Sequence, residues 1–278
     1  MTLVRAVWLG LLLLLAACAD GRDARPNAER IAAAAGLRRV EIPADPFRLV
    51  GYVRFGGAPV LRVYIEGDGH AWARRDLPSD DPTPWSPVAL ELAARDSAAS
   101  VAYLGRPCQY VAPGSDPACQ VNDWTDGRYA EPVIAGTSRA IDRLVVAGGA
   151  RGVELIGFSG GGAVAALVAA RRHDIVNLRT VAANLDTAAW TSRQGLRPLT
   201  GSLNPADAWA RLASVPQAHF SGAADSVVAS PVLRAYLARF SDQSCIVATV
   251  VPGVGHTEGW PAIWPDLLRQ PVRCEVRR

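Results

Sequence analysis

Apolar positions along this chain follow two alternating rhythms. Short runs rich in β-branched and aromatic residues, FRLVGYVRF (47–55), PVLRVYIEG (59–67) and SVAYLG (100–105), have the length and make-up of strands, and the first two predict an early hairpin. Longer segments between such runs carry apolar residues at helical spacing. AEPVIAGTSRAIDRLVVAGGA (130–150) has such a stripe and stops in glycines, whereas GGAVAALVAARR (161–172) is apolar nearly all round, as a buried helix is. GVELIGF (152–158) reads as a buried strand, and LRTVAANL, PQAHFSGA and CIVATVVPG are three further strand candidates. Strand and helix in alternation predict the α/β class: a mostly parallel central sheet covered by helices on both faces. No internal repeat is visible, and residues 37–278 read as one domain.

The first residues break this pattern. Arg5 precedes an unbroken apolar run from Ala6 to Ala17, and twelve residues are too few to span a bilayer core. A charged start, an apolar middle and a small-residue end describe an export signal over 1–17. Its end, Leu15-Ala16-Ala17-Cys18, resembles the lipobox of bacterial lipoproteins. That resemblance implies cleavage before Cys18, a lipid on its sulfur and a membrane anchor. Ala19 stands where lipoproteins held in the inner membrane carry Asp, which favours the outer membrane, facing the periplasm. The alternative is an ordinary signal peptide with an incidental cysteine. Residues 18–36, polar and then alanine-rich, read as a tether running into a short helix.

Composition narrows the chemistry. Half the residues are hydrophobic and 20% are charged, enough for a sizeable core, and the net charge of +3 gives no reason to expect nucleic acid. All 29 basic residues are arginine, so Schiff bases, phosphate-loop lysines and Ser–Lys dyads are excluded. Beyond Cys18, the four cysteines at 108, 119, 245 and 274 suit an oxidising compartment. They allow three pairings. Cys108–Cys119 would close a short loop, and Cys245–Cys274 would tie the C-terminal tail to a late strand; the spacing is not of the zinc type.

GFSGGG (157–162) joins the buried strand to the apolar helix. A G-x-S-x-G match in that setting predicts a sharp turn with Ser159 at its apex, since side chains at Gly157 or Gly161 would collide where strand and helix meet. The N–H of Gly160 would then point at a developing oxyanion from a helix N-terminus. A nucleophilic serine needs a base, and the base an orienting acid. Of the four histidines, His256, in VVPGVGHTEGW, enters a loop after the last strand, at the edge where α/β sites gather. His173 lies at the far end of the helix, His219 within a strand and His70 on an early loop. Asp225, after the penultimate strand in HFSGAADSVV, is the favoured acid, and Asp186, in AANLDTAAW, is the rival.

With the elbow and the order Ser159, Asp225, His256 in place, the chain from about residue 40 onward resembles the α/β-hydrolase superfamily. More narrowly, YIEGDG (64–69), RPCQY (106–110), NLD…W (184–190) and SLNPAD (202–207) resemble a group of bacterial α/β-hydrolase lipoproteins. The resemblance implies an α/β-hydrolase fold and a serine-hydrolase mechanism through an acyl-enzyme; the leading expectation is a small ester-like substrate, with no cofactor. The resemblance itself leaves the substrate open. Thioesters and amides would use the same triad, and a non-catalytic envelope lipoprotein on the same scaffold is the reading from another class.

The second oxyanion donor is expected from the backbone of Asp68, in Glu66-Gly67-Asp68-Gly69-His70, where nearby carboxylates would oppose the developing charge. Glu66, Asp68 and His70 alternate and could instead converge on a metal, although the serine constellation is complete without one and no metal is expected. About thirty residues between Asp186 and Gln217 leave room for a small lid or none and predict an open pocket. Trp72, Trp124, Trp190, Trp260 and Trp264 could line it, and Arg106 or Arg128 could read a substrate carboxylate. A monomer is expected.

Overall fold

The computed structural model describes residues 23–275. The apolar leader and Cys18 lie outside them. In chain order the elements are α1 (Arg25–Ala34), β1 (Arg38–Ala44), β2 (Phe47–Arg54), β3 (Val60–Ile65), a short ribbon of β4 (Trp72–Arg74) and β5 (Leu77–Pro78), α2 (Val88–Ala94), β6 (Val101–Leu104), α3 (Glu131–Gly148), β7 (Gly152–Phe158), α4 (Gly160–Ala169), β8 (Ile175–Val181), α5 (Thr187–Gln194), α6 (Trp209–Leu212), β9 (Gln217–Gly222), α7 (Ser230–Leu237), β10 (Ile246–Val251) and α8 (Trp260–Leu268). None of these helices is long and apolar enough to cross a membrane.

Eight strands form one sheet in the order β1-β2-β6-β3-β7-β8-β9-β10. From β6 to β10 every pairing is parallel, and only β2 runs against its neighbours. Parallel neighbours need crossovers, which the helices supply, so the central strands are buried on both faces. Alternation along the strands divides the core. Leu61, Val63 and Ile65 of β3, with Val153 and Leu155 of β7, pack with Ile134, Ile141 and Leu144 of α3 and Val164 and Leu167 of α4. Tyr64, Ile156 and Phe158, of opposite parity, pack with Ala28 of α1, Leu90 of α2 and Trp260 and Trp264 of α8. Helices therefore cover both faces.

The early hairpin is differently composed from the sequence expectation. β2 pairs antiparallel with β1, from Arg38↔Val53 to Ala44↔Phe47, around a tight turn at Asp45–Pro46. β3 is separated from β2 by β6 and runs parallel to both β6 and β7. The run RRVEIPA hides β1 from a pattern reading because its charges and proline are poor strand signals. On a sheet edge, with its first residues in solvent, they are tolerated. Both expected disulfides, Cys108–Cys119 and Cys245–Cys274, are formed.

Candidate active site

The carboxyl ends of β3, β7, β8, β9 and β10 all open on one edge of the sheet, and Asp68, Ser159, Asp186, Asp225 and His256 follow them there. Ser159 follows β7 directly and adopts φ 51°, ψ −122°, a left-handed conformation rare for a residue with a side chain. The packing around it enforces the turn. A Cβ on Gly157 would lie 2.4 Å from the carbonyl oxygen of Gly161, and one on Gly161 would lie 2.2 Å from that of Ile65. Only glycine lets α4 start so close to both strands. Gly160 is the first residue of α4, so its N–H has no partner within the helix.

Ser159 Oγ lies 3.0 Å from His256 Nε2, and His256 Nδ1 lies 2.9 Å from Asp225 Oδ2. The other oxygen of Asp225 accepts from the N–H groups of Val227 and Val228, each at 2.8 Å, which fixes the carboxylate plane. Its side chain is fully buried, and His256 retains only partial exposure. Trp260 donates to the carbonyls of both Gly255 and His256, holding the histidine loop from beneath. Trp190, at the start of the cleft wall, donates to the carbonyl of Val227 and braces the acid loop.

Asp186 has a different place. It caps α5 by accepting from Ala189 N–H at 3.0 Å, and Asn204 donates to it. His219 lies within the sheet between Thr180 and Gln217. Gln217 Oε1 also accepts from Tyr236, so His219 Nε2 donates to it and Nδ1 accepts from the threonine. Burial pushes this imidazole down to about 3, keeping it neutral. His173 is exposed, and His70 stacks on Trp85.

The early loop is pressed against the elbow. A Cβ on Gly67 would approach that of Ser159 to 3.3 Å, and one on Gly160 would meet the Asp68 carboxylate. Glu66, Asp68 and His70 diverge rather than converge. Glu66 is buried beneath the loop, accepting from Gly67 N–H and from the hydroxyl of Tyr103. Burial pushes its carboxyl up to about 7, against the hydrogen bonds from Gly67, Ala89 and Tyr103 that favour the charge. Asp68 is bound by Arg106 at 3.1 Å, Arg128 at 3.0 Å and the Tyr129 hydroxyl at 3.0 Å. Burial alone would raise its pKa, but the two guanidinium groups outweigh it and hold the carboxyl below the usual range. The expected opposition to an oxyanion is thus offset. Asp68 with its two arginines sums to one positive charge beside Ser159, and burial disfavours the charged form of Glu66. Among the described residues no group of three His, Cys, Asp or Glu side chains is arranged to hold a metal.

Ser159, Gly160, Asp68 and His256 line an open cleft of about 1620 Å³. Its walls are the β4–β5 ribbon with Trp72 and Trp85 on one side and residues 195–200 on another. Trp190 also lines it, but Trp124, Trp260 and Trp264 are buried and do not. Arg106 and Arg128 are committed to Asp68 rather than open to a ligand. Asn184, 2% exposed, was missed by the sequence reading. It lines the cleft, its N–H donates to the carbonyl of Ser159 at 3.2 Å, and its Oδ1 is buried without a partner. Its only sequence signal was its place in NLD, directly after a strand.

The backbone resembles several solved structures. An esterase from Pyrococcus furiosus superposes with a TM-score of 0.58 at 15% identity, over 83% of this chain and 88% of the other. An α/β serine hydrolase without a lid, from Xanthomonas campestris, gives 0.52 at 15%, over 83% and 89%. The chain has the α/β-hydrolase fold. A membrane phospholipase A described as a bacterial virulence factor gives 0.53 at 16%, over 91% of this chain and 92% of that one. No family model matches the sequence, and no curated protein matches it. Within this fold the interval after Asp186 forms only α5, a single 3-10 turn at Pro205–Ala208, α6 and loops, so the cleft has low walls and no large cap.

Proposed function

We propose that the protein is a serine hydrolase that cleaves a carboxylic ester through an acyl-enzyme. The observation that carries this reading is the unbroken relay from Ser159 through His256 to Asp225, with contacts of 3.0 and 2.9 Å. Asp225 keeps the proton on Nδ1, leaving Nε2 free to take the Ser159 proton as Oγ attacks the ester carbon. The N–H groups of Gly160 and Asp68 stabilise the tetrahedral oxyanion. The imidazolium then gives its proton to the departing alcohol, and the acyl group stays on Oγ. Water, deprotonated by the same imidazole, attacks the acyl-enzyme, and the acid leaves with Ser159 restored. The named activities of two structural neighbours, esterase and phospholipase A, agree with this reading.

A fluorophosphonate probe should label the wild-type protein, and Ser159→Ala should abolish labelling and lower kcat/KM on p-nitrophenyl esters by about 10⁴-fold while the fold survives. A variant that keeps more than a few percent of activity would exclude Ser159 as nucleophile. Comparing oxygen esters with the matching thioesters and anilides fixes the bond cleaved. We further propose that Cys18 carries lipid and holds the enzyme on the periplasmic face of the outer membrane. Cys18→Ser should release the protein from membranes; wild-type protein recovered free, with an unmodified N-terminus, would overturn the anchor.

A further inference from the structure

With Arg106 and Arg128 bound to Asp68, the free positive charge of the cleft lies farther out. Arg74 and Arg75, on and after β4, and Arg197, in the loop after α5, line the same cleft as Ser159. All three are exposed, and none of their side chains makes a hydrogen bond or ion pair with a described residue. The cleft carboxylates are mostly committed: Glu66 and Asp68 as described, and Asp126 accepting from Gly201 N–H. Asp76 alone is exposed without a partner. A backbone N–H does not neutralise Asp126, so three free guanidinium groups against Asp76 and Asp126 leave one net positive charge at the mouth, and Asp68 with its two arginines adds a second behind it. Trp72, Trp85, Leu196 and Val227 are exposed there too. A cleft with low-dielectric walls and charges of one sign concentrates ligands of the opposite sign. Guanidinium forks match the planar oxygens of carboxylate and phosphate, while the neighbouring apolar surface takes a hydrocarbon portion.

We propose that the ester cleaved here is amphipathic and carries a carboxylate or phosphate, bound by Arg74, Arg75 and Arg197 at the mouth of the cleft while the ester carbonyl reaches Ser159. This deepens the serine-hydrolase reading and rests on it. Each contact is exposed and screened, so the three together are worth about tenfold in kcat/KM.

The test compares p-nitrophenyl monoadipate with its neutral methyl ester on wild-type protein and on the Arg74→Gln/Arg75→Gln/Arg197→Gln variant. The wild type should prefer the anionic ester by about tenfold in dilute buffer. That preference should fade at high salt and collapse in the variant. Fatty acid release from phosphatidylglycerol vesicles but not phosphatidylcholine vesicles, lost in the same variant, would support the proposal and place the charge on a lipid headgroup. Preference for soluble monoadipate alone would support it and place the charge on a soluble ester. Normal turnover of neutral esters with no anionic preference in either assay would overturn this inference and leave the serine-hydrolase reading intact. If no ester is cleaved and no fluorophosphonate labels, that reading fails, and calorimetry with octyl phosphate and octyl glucoside decides the anion site separately. Octyl phosphate favoured by the wild type and weakened about tenfold in the variant would sustain it; equal binding of the two would overturn it.

Discussion

At the scale of single residues, two aspartates at the ends of neighbouring strands have the same local appearance and opposite surroundings. Asp225 spends one oxygen on two backbone N–H groups and the other on His256 Nδ1, whereas Asp186 spends its cap on Ala189. Asn in place of Asp225 keeps Oδ1 as the backbone acceptor but turns an amide N–H₂ toward His256. The imidazole must then carry its proton on Nε2, where it cannot accept one from Ser159. Asp225→Asn is expected to lower kcat by about 10⁴-fold, as in the serine-protease precedent, with little change in melting temperature. Asp186→Asn retains an acceptor at the N-cap, a position where Asn and Asp are nearly equivalent, and should leave kcat within about tenfold. Steady-state kinetics and thermal melts of the two variants check both. Equal losses of kcat would mean that Asp186 supports the site through Asn204 and the cleft wall.

At the scale of elements, what could be read from the sequence was what local pattern encodes. The continuous burial of β7, the glycines around Ser159 and the apolar surface of α4 are all neighbours in sequence, so strand, turn and helix were legible together. The β1–β2 hairpin was not, because edge placement, which makes the charges of RRVEIPA tolerable, is a property of the sheet and not of the segment. The loop at 66–69 was legible as a loop, but not its bracing. Gln109 donates to the carbonyl of Gly67 at 3.0 Å and accepts from Arg106 N–H at 2.9 Å, and its neighbours Cys108 and Tyr110 both have positive φ, 71° and 64°. RPCQY is therefore a bracket for the early loop, closed by the Cys108–Cys119 disulfide. Arg106 and Arg128 reach Asp68 across 38 and 60 residues, a pairing that only the folded sheet edge creates. Tryptophan carries the same ambiguity: Trp260 and Trp72 look alike in sequence, yet one supports the histidine loop from the core and the other stands exposed at the cleft mouth.

At the scale of the whole molecule, the buried groups near the site link stability to pH. Glu66 has its folded pKa raised by burial from 4.5 to about 7. Between those values the native state keeps a proton that the unfolded chain has lost, so this group's contribution falls as pH rises from 4.5 to 7 and is constant above. Integrated over the window it amounts to about 3 kcal/mol at most. His219 acts with the opposite sign. Its folded pKa is depressed from 6.5 to about 3, so its contribution is present above 6.5 and is lost as pH falls toward 3. The two slopes oppose each other between 4.5 and 6.5, and a wild-type stability profile alone hides both. Glu66→Gln separates them, because His219 is common to both proteins and cancels in the difference. The glutamine can still accept from Gly67 N–H and pair with Tyr103, and it carries no charge to desolvate. Urea unfolding at pH 5, 6, 7 and 8 should find Glu66→Gln more stable than the wild type above pH 7, with the advantage shrinking steadily toward pH 5. A difference that stays constant across that range would place the folded-state titration of Glu66 at its ordinary value, and would leave its full negative charge beneath the loop that faces the oxyanion.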